Sequence, residues 1–262
     1  MRIATWNVNS LNARLPRVLE WLEEHRPDVL CMQETKLADE AFPSLAFAQL
    51  GYEVVHHGNG RWNGVAIAST LGAENPTQGF GSLEDDYGCR IVAATCAGIR
   101  VHSVYVPNGR SLDSEHYRAK LAWLTRLRTY LLEQCDPTRD VAVCGDFNVA
   151  PDDRDVWDPA AFVGATHVSE PERAALRNLL DWGLEDVFRR HHGEGGIFSW
   201  WDYRAGDFHQ GRGMRIDLVL VTKSLAERSV SAEIDRNARK GKKPSDHAPV
   251  IVDFEVAAAG QP

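Results

Sequence analysis

Five cysteines are spread through 262 residues, an odd number with no Cys-x-x-Cys pair among them. That pattern excludes a disulfide framework and a zinc knuckle, and it fits a reduced, cytoplasmic chain. Cys31 and Cys144 sit inside apolar runs and read as small core residues. No apolar run approaches the roughly 20 residues of a membrane span, so no membrane association is expected. The opening MRIATWNVNS lacks the apolar stretch of a secretory leader and reads as structural from residue 2. No linker-like stretch divides the chain. No serine stands in a Gly-x-Ser-x-Gly setting, which sets aside a nucleophile-elbow hydrolase. Positive charge is also short: the formal net charge is −8, which by itself argues against a polyanionic partner.

The charge is unevenly distributed, however. Residues 203–243 hold ten Lys/Arg against five Asp/Glu, and RNARKGKK (236–243) is the densest part. Such a run is either a solvated loop or a surface that meets phosphates, and Arg239, Lys240, Lys242 and Lys243 are its candidates for the second role. Apolar residues make up 44% of the chain, enough for a substantial buried core.

RIATWNV reads as a strand and RLPRVLEWLEEHR as an amphipathic helix, with Leu15, Val18, Leu19 and Leu22 at helical spacing. DVLCMQE is then a buried strand ending on Glu34. Strand, helix, strand in that order predicts a parallel pair with a crossover helix. NGVAIAST, RIVAATCA and IRVHSVYVP are further strands, and HYRAKLAWLTRLRTYLLEQ is a long amphipathic helix. VAVCGDFN carries a core strand into Asp146 and Asn148. A loose repeat follows: helix, then RPDVLCMQET ending on one acid; helix, then TRDVAVCGDFN ending on another. SEPERAALRNLLDWG reads as a helix with Ser169 and Glu172 at capping-box spacing. RIDLVLVT and APVIVDFEV are the last strands. The reading is one domain over 1–256 with a frayed tail at 257–262.

Polar residues gather where these strands end: Asn7, Glu34, Asp146, Asn148, Asp217 and the pair Asp246–His247. Each has an ordinary explanation. Asn7, Asp146, Asn148 and Asp246 suit turns or caps, Asp217 suits a core ion pair with Arg215, and His247 suits a satisfied histidine. Together they are four acids, two amides and an imidazole. Acids at buried strand ends need compensation, and an all-oxygen ligand set favours Mg²⁺, with Mn²⁺ as a substitute. The aromatic run FSWWDYR is either core or, at Trp200, the wall of a pocket. Arg110 and Arg215 read as backbone-phosphate contacts or as surface ion pairs.

The motifs TWNVNSLNAR, PDVLCMQETK, YVPNG, GDFNVAP, MRIDLVL and SDHAPV run in order from residue 3 to about 254. They resemble the exonuclease III type of apurinic/apyrimidinic (AP) endonuclease, in the endonuclease/exonuclease/phosphatase superfamily. The resemblance implies a four-layer α/β/β/α sandwich of two packed mixed sheets flanked by helices. It implies Glu34 as the main metal ligand, helped by Asn7 and Asp246, and Asp146 as the residue that orients or deprotonates the attacking water. It matches Asn148, Tyr105 and Asn108 to phosphate contacts, and His247 to a phosphate-binding histidine oriented by Asp217. Trp200 and Met214 match bulky residues that line the abasic-sugar pocket and wedge the duplex. Asn9 departs from members that carry an Asp near the metal, which puts a second metal position in question. The implied activity is Mg²⁺-dependent cleavage on the 5′ side of abasic sites, with 3′→5′ exonuclease and 3′-phosphodiesterase or phosphatase action, by a monomer on double-stranded DNA. Whether Asp146 or His247 is the base stays open at this point. Two rivals share the motifs: a superfamily phosphatase acting on a phosphoinositide, sphingolipid or nucleotide, and a non-catalytic DNA-binding module.

Overall fold

The computed structural model describes residues 1–81 and 88–255, so the tail expected at 257–262 lies outside the described residues. The apolar runs form the middle of two sheets. β1 (Arg2–Asn7), α1 (Leu11–His25) and β2 (Val29–Gln33) make the first crossover, and β2 is buried along its whole length. β1 and β2 pair in parallel from Ile3 opposite Val29 to Asn7 opposite Gln33. β3 (Glu53–His57) and β4 (Val65–Ser69) follow α2 (Ser44–Ala48), and β5 (Glu74–Gln78) opens the second sheet.

β6 (Ile91–Cys96), β7 (Ile99–Tyr105), α3 (Glu115–Gln134) and β8 (Val141–Asp146) repeat the plan, with β7 and β8 parallel. After α4 (Glu170–Leu180) come β9 (Leu184–Asp186), α5 (Val187–His191), α6 (Asp207–Gln210), β10 (Asp217–Thr222), α7 (Lys223–Ala226), β11 (Ser229–Ile234) and β12 (Val250–Phe254). The first sheet runs β11-β12-β1-β2-β4-β3 and the second β5-β6-β7-β8-β10-β9.

Three apolar layers hold the sandwich. Ile3, Val29, Cys31 and Ile67 of the first sheet meet Val92, Val101, Cys144 and Val219 of the second. Trp21 and Leu22 of α1 cover the outer face of the first sheet, and Trp123, Leu124 and Leu127 of α3 cover that of the second. This is the four-layer arrangement expected from the motifs. α1 starts at Leu11, earlier than Pro16 would mark it. Among the described residues no helix is long and apolar enough to cross a membrane.

The eight interior strands are those legible in the sequence. The four that are not, β3, β5, β9 and β11, are the four sheet edges. β5 is exposed throughout and carries Pro76, and β11 is mostly solvent-facing. An edge strand needs no continuous apolar run, so it leaves little signal.

Candidate active site

Strand register builds the site. In the second sheet Asp146 lies between Tyr105 on β7 and Asp217 on β10. Gly145 precedes it because a Cβ there would come within 1.9 Å of the Val104 carbonyl oxygen on β7. In the first sheet Asn7 ends β1 and Glu34 follows β2. Asn7 joins the sheets: its Nδ2 donates to Glu34 Oε1 at 2.9 Å and to Asp146 Oδ2 at 2.9 Å, while its Oδ1 accepts from the Asn9 amide at 2.9 Å. Left-handed backbone recurs here in non-glycine residues, with φ of 51° at both Glu34 and Asn148 and 54° at Lys36. Such conformations persist where the surroundings hold them, and they cluster at functional sites.

Two acids facing each other across a strand pair repel. His247 relieves that repulsion. Its Nδ1 donates to Asp217 Oδ2 at 2.9 Å, and its Nε2 lies 3.8 Å from Asp146 Oδ2. Ser199 Oγ donates to Asp217 Oδ2 at 2.6 Å and fixes that carboxylate. Burial opposes a charged imidazole, but Asp217, Asp146 and Asp246 outweigh it and push His247 up to about 10. Burial pushes Asp146 up to about 7; the charges of Asp217 and Glu34 add to this, while His247 and the Asn7 amide oppose it. The two shifts favour a charged imidazole at His247 and a carboxyl at Asp146 that holds its proton more tightly than an ordinary aspartate.

Among the described residues, Glu34, Asp146 and His247 form a group whose ligand atoms all lie within 4.8 Å of one another. The carboxylate oxygens of Glu34 and Asp146 are the hard donors in that group that could hold a metal ion. Two carboxylates bridged by a single amide leave negative charge that a hard divalent cation fits.

Several expected roles change. Asn7, expected beside the metal, turns its amide NH₂ to both acids and so bridges the two carboxylates. Asp246 stands outside the metal-binding group: its Oδ1 accepts from Asn9 Nδ2 at 2.9 Å and its Oδ2 from Trp200 Nε1 at 3.1 Å. Arg215 is 0% exposed and ion-paired to Asp155 and Asp186, so it does not reach a DNA backbone. Met214 is 1% exposed and packs with Val156, Ile216 and Trp200, so its side chain supports the Trp200 wall and does not project as a wedge. Arg239 is 6% exposed, donates to the Ser245 carbonyl and lies over Tyr203 and Phe208, which removes it from the basic surface. Lys240, Lys242 and Lys243 are exposed.

Other candidates do converge. Asn148 follows Asp146 in a tight turn closed by its own amide on Asp146 Oδ1 at 2.9 Å, and its Oδ1 accepts from Asn108 Nδ2 at 3.1 Å. Tyr105 lines the same cavity as Glu34, and burial with the charges of Glu34 and Asp146 holds its hydroxyl well above the ordinary phenol range. Asn108 and Arg110 line a cavity of about 430 Å³ beside Glu34 and Tyr105. Trp200 lies beside His247, with ring centroids 6.5 Å apart.

Sequence reasoning passed over Lys36 and Arg90, which line the same cavity. Lys36 Nζ is 3.0 Å from Glu34 Oε2, and the Arg90 guanidinium lies 4.5 Å from the Tyr105 ring centre. Lys36 had a signal, its place in QETK; Arg90 had none, because it opens the apolar run RIVAATCA and looks like an ordinary strand-end cation.

The chain matches the model of the Endonuclease/Exonuclease/phosphatase family over residues 4–247. It is similar to the exodeoxyribonuclease III of Haemophilus influenzae, 35% identical over 97% of this chain and 100% of that one. Among solved structures, an AP endonuclease from Archaeoglobus fulgidus superposes with a TM-score of 0.95 at 42% identity, covering 98% of this chain and 100% of that one. The 3′ phosphatase NExo from Neisseria, bound to a product DNA hairpin, gives a TM-score of 0.93 at 39% identity with coverage of 98% and 100%.

Proposed function

The chain belongs to the endonuclease/exonuclease/phosphatase family and, within it, to the exonuclease III type of AP endonuclease, and from that premise we propose that it cuts the DNA phosphodiester on the 5′ side of an abasic site. It is a DNA repair nuclease. The proposed reaction depends on Mg²⁺ and leaves a 3′-hydroxyl. The same site removes 3′ nucleotides and 3′ phosphates, a reading favoured by the likeness to a 3′ phosphatase.

One observation carries the reading: Asp146, Glu34 and His247 converge at one rim, with one side-chain N or O atom of each within 4.8 Å of the others. Hydrolysis needs an in-line water, relief of charge on the phosphate and a stabilised leaving oxygen. Asp146 takes a proton from the attacking water as the water oxygen bonds to phosphorus and the P–O3′ bond breaks, and the departing O3′ takes a proton from a solvent water to leave as the 3′-hydroxyl. His247, held charged by Asp217, donates to a non-bridging oxygen. Asn148, Asn108 and Tyr105 align the phosphate. Glu34, with Asp146 beside it, would hold the divalent cation, which supplies further charge relief to the phosphate and leaving oxygen when bound. An abasic nucleotide leaves the stack at low cost, and the Trp200 indole offers its sugar an apolar wall that excludes a base. Trp200 is itself fixed by Asp246.

The test is purified protein with Mg²⁺ on matched abasic and intact duplexes, with products resolved by length, beside a phosphate-release screen on phosphoinositides, sphingolipids and nucleotides. The expected result is incision 5′ to the abasic site. Phosphate release from the small substrates with both duplexes left whole would overturn the proposal in favour of a superfamily phosphatase.

A further inference from the structure

Ser169 and Glu172 stand at capping-box spacing, and the structure forms that box at the start of α4. Glu172 does more than cap. It is fully buried and forms an ion pair with Lys120 of α3, which is also fully buried. Glu172 Oε1 accepts from Thr166 Oγ1 at 2.7 Å and from the His167 amide at 2.9 Å, so its charge is fixed from several sides.

Lys120 faces the catalytic rim from behind. Its Nζ donates to the Asn148 carbonyl at 2.6 Å and to the Asn108 carbonyl at 3.2 Å. These are the two asparagines whose side chains meet at 3.1 Å and which the proposed reaction assigns to the phosphate. Asn108 belongs to the loop after β7, Asn148 to the turn after β8. One ammonium thus adds a tie between the backbones of two loops that are otherwise joined by the Val106 amide on the Asp146 carbonyl at 2.9 Å and by Asn148 Nδ2 on the Val106 carbonyl at 3.0 Å. Asn148 also holds a left-handed φ of 51°, a conformation that needs outside support. A buried charge pair is weak evidence for stability, since apolar residues of similar volume often stabilise as well or better. A pair this deep, aimed at two loop carbonyls, fits a role in geometry.

We propose that Lys120, held by Glu172, is a positioning residue for the reaction: it fixes the Asn108–Asn148 pair that receives the phosphate, and it touches no substrate itself. This rests on the nuclease reading above. Lys120→Met alone strands a buried carboxylate and lowers Tm. Lys120→Met with Glu172→Gln removes both charges and leaves an acceptor to cap α4, so Tm stays near that of the wild type. In that paired variant kcat per folded molecule on an abasic duplex falls roughly tenfold or more, while KM changes less than about threefold, because loosened positioning acts on the transition state. Should the paired variant not fold, Lys120→Arg carries the test. It keeps a cation opposite Glu172 but not the compact ammonium that reaches both carbonyls, and kcat falls severalfold at unchanged KM. Wild-type kcat in either folded variant would overturn the inference. Absence of abasic cleavage by the wild-type protein would instead be the failure of the nuclease reading.

Discussion

The two sheets share one plan and end in different chemistry. In each, a parallel pair joined by a helix is flanked by an antiparallel strand and an edge strand on either side. β1–α1–β2 delivers Glu34, and β7–α3–β8 delivers Asp146. Glu34 lies one residue beyond its strand, with its side chain 17% exposed and Lys36 beside it. Asp146 is the last residue of its strand, buried between Tyr105 and Asp217. The open carboxylate suits an ion that must enter and leave through water. The buried one suits a proton, because its environment rather than solvent sets its affinity.

Changes in the second half are expected to remove chemistry, and changes in the first to shift metal demand. Asp146→Asn is expected to lower kcat by about three orders of magnitude, the upper range for a lost proton acceptor, with duplex affinity kept in an anisotropy titration. Retained cleavage would move the base elsewhere. Asp217→Asn is expected to cost about a hundredfold, in line with loss of a general acid–base partner. It also gives a sign to check. His247 is held up to about 10 chiefly against burial by Asp217. Without that acid its pKa falls, and activity should drop as pH rises through neutrality, where the wild type stays active. A pH–rate profile with an unmoved alkaline limb would contradict this.

Glu34→Ala is expected to raise the half-saturating Mg²⁺ roughly tenfold or more, read from a metal titration of the initial rate. Unchanged metal demand would erase the distinction between the halves. Replacing Lys240, Lys242 and Lys243 with Gln is expected to weaken DNA binding severalfold and to flatten its salt dependence by about one unit of slope per lost phosphate contact. A constant slope would take that loop off the DNA.

One expected effect falls on stability rather than on the site. His102 on β7 is fully buried with its Nδ1 at 3.2 Å from the Ala142 carbonyl, and burial together with Arg100 pushes it down to about 3. The unfolded chain takes up the proton near pH 6.5, while the native chain refuses it until about pH 3. Stability is therefore full above about pH 6.5 and is lost as pH falls, by roughly 2 kcal/mol at pH 5. His102→Gln should lose less between pH 7.5 and pH 5 in urea titrations than the wild type does.

Residues written in strong local patterns were legible without the structure. The interior strands were, because burial on both faces demands continuous apolar runs. So were Asp146, Asn148, Asp217 and His247, because polar residues at either end of such runs are conspicuous. Arg215 and Met214 misled for the same reason: they flank an apolar strand, but the fold turns both inward. Arg239 misled because a run of positive charge says nothing about which member lies over aromatic rings. Lys120 carried no signal, since a lysine in an amphipathic helix reads as solvated.

The order of elements, the parallel crossovers and the chemical class of the site follow from the sequence alone, because hydrophobic periodicity and residue type act over a few neighbouring positions. Which acid stays open, which is buried, that His247 is charged, and that one ammonium holds two loops were decided by the tertiary structure. Those properties depend on distances between residues as far apart in the chain as Asn7 and Asp146 or Asp217 and His247, and on how completely water is excluded around them.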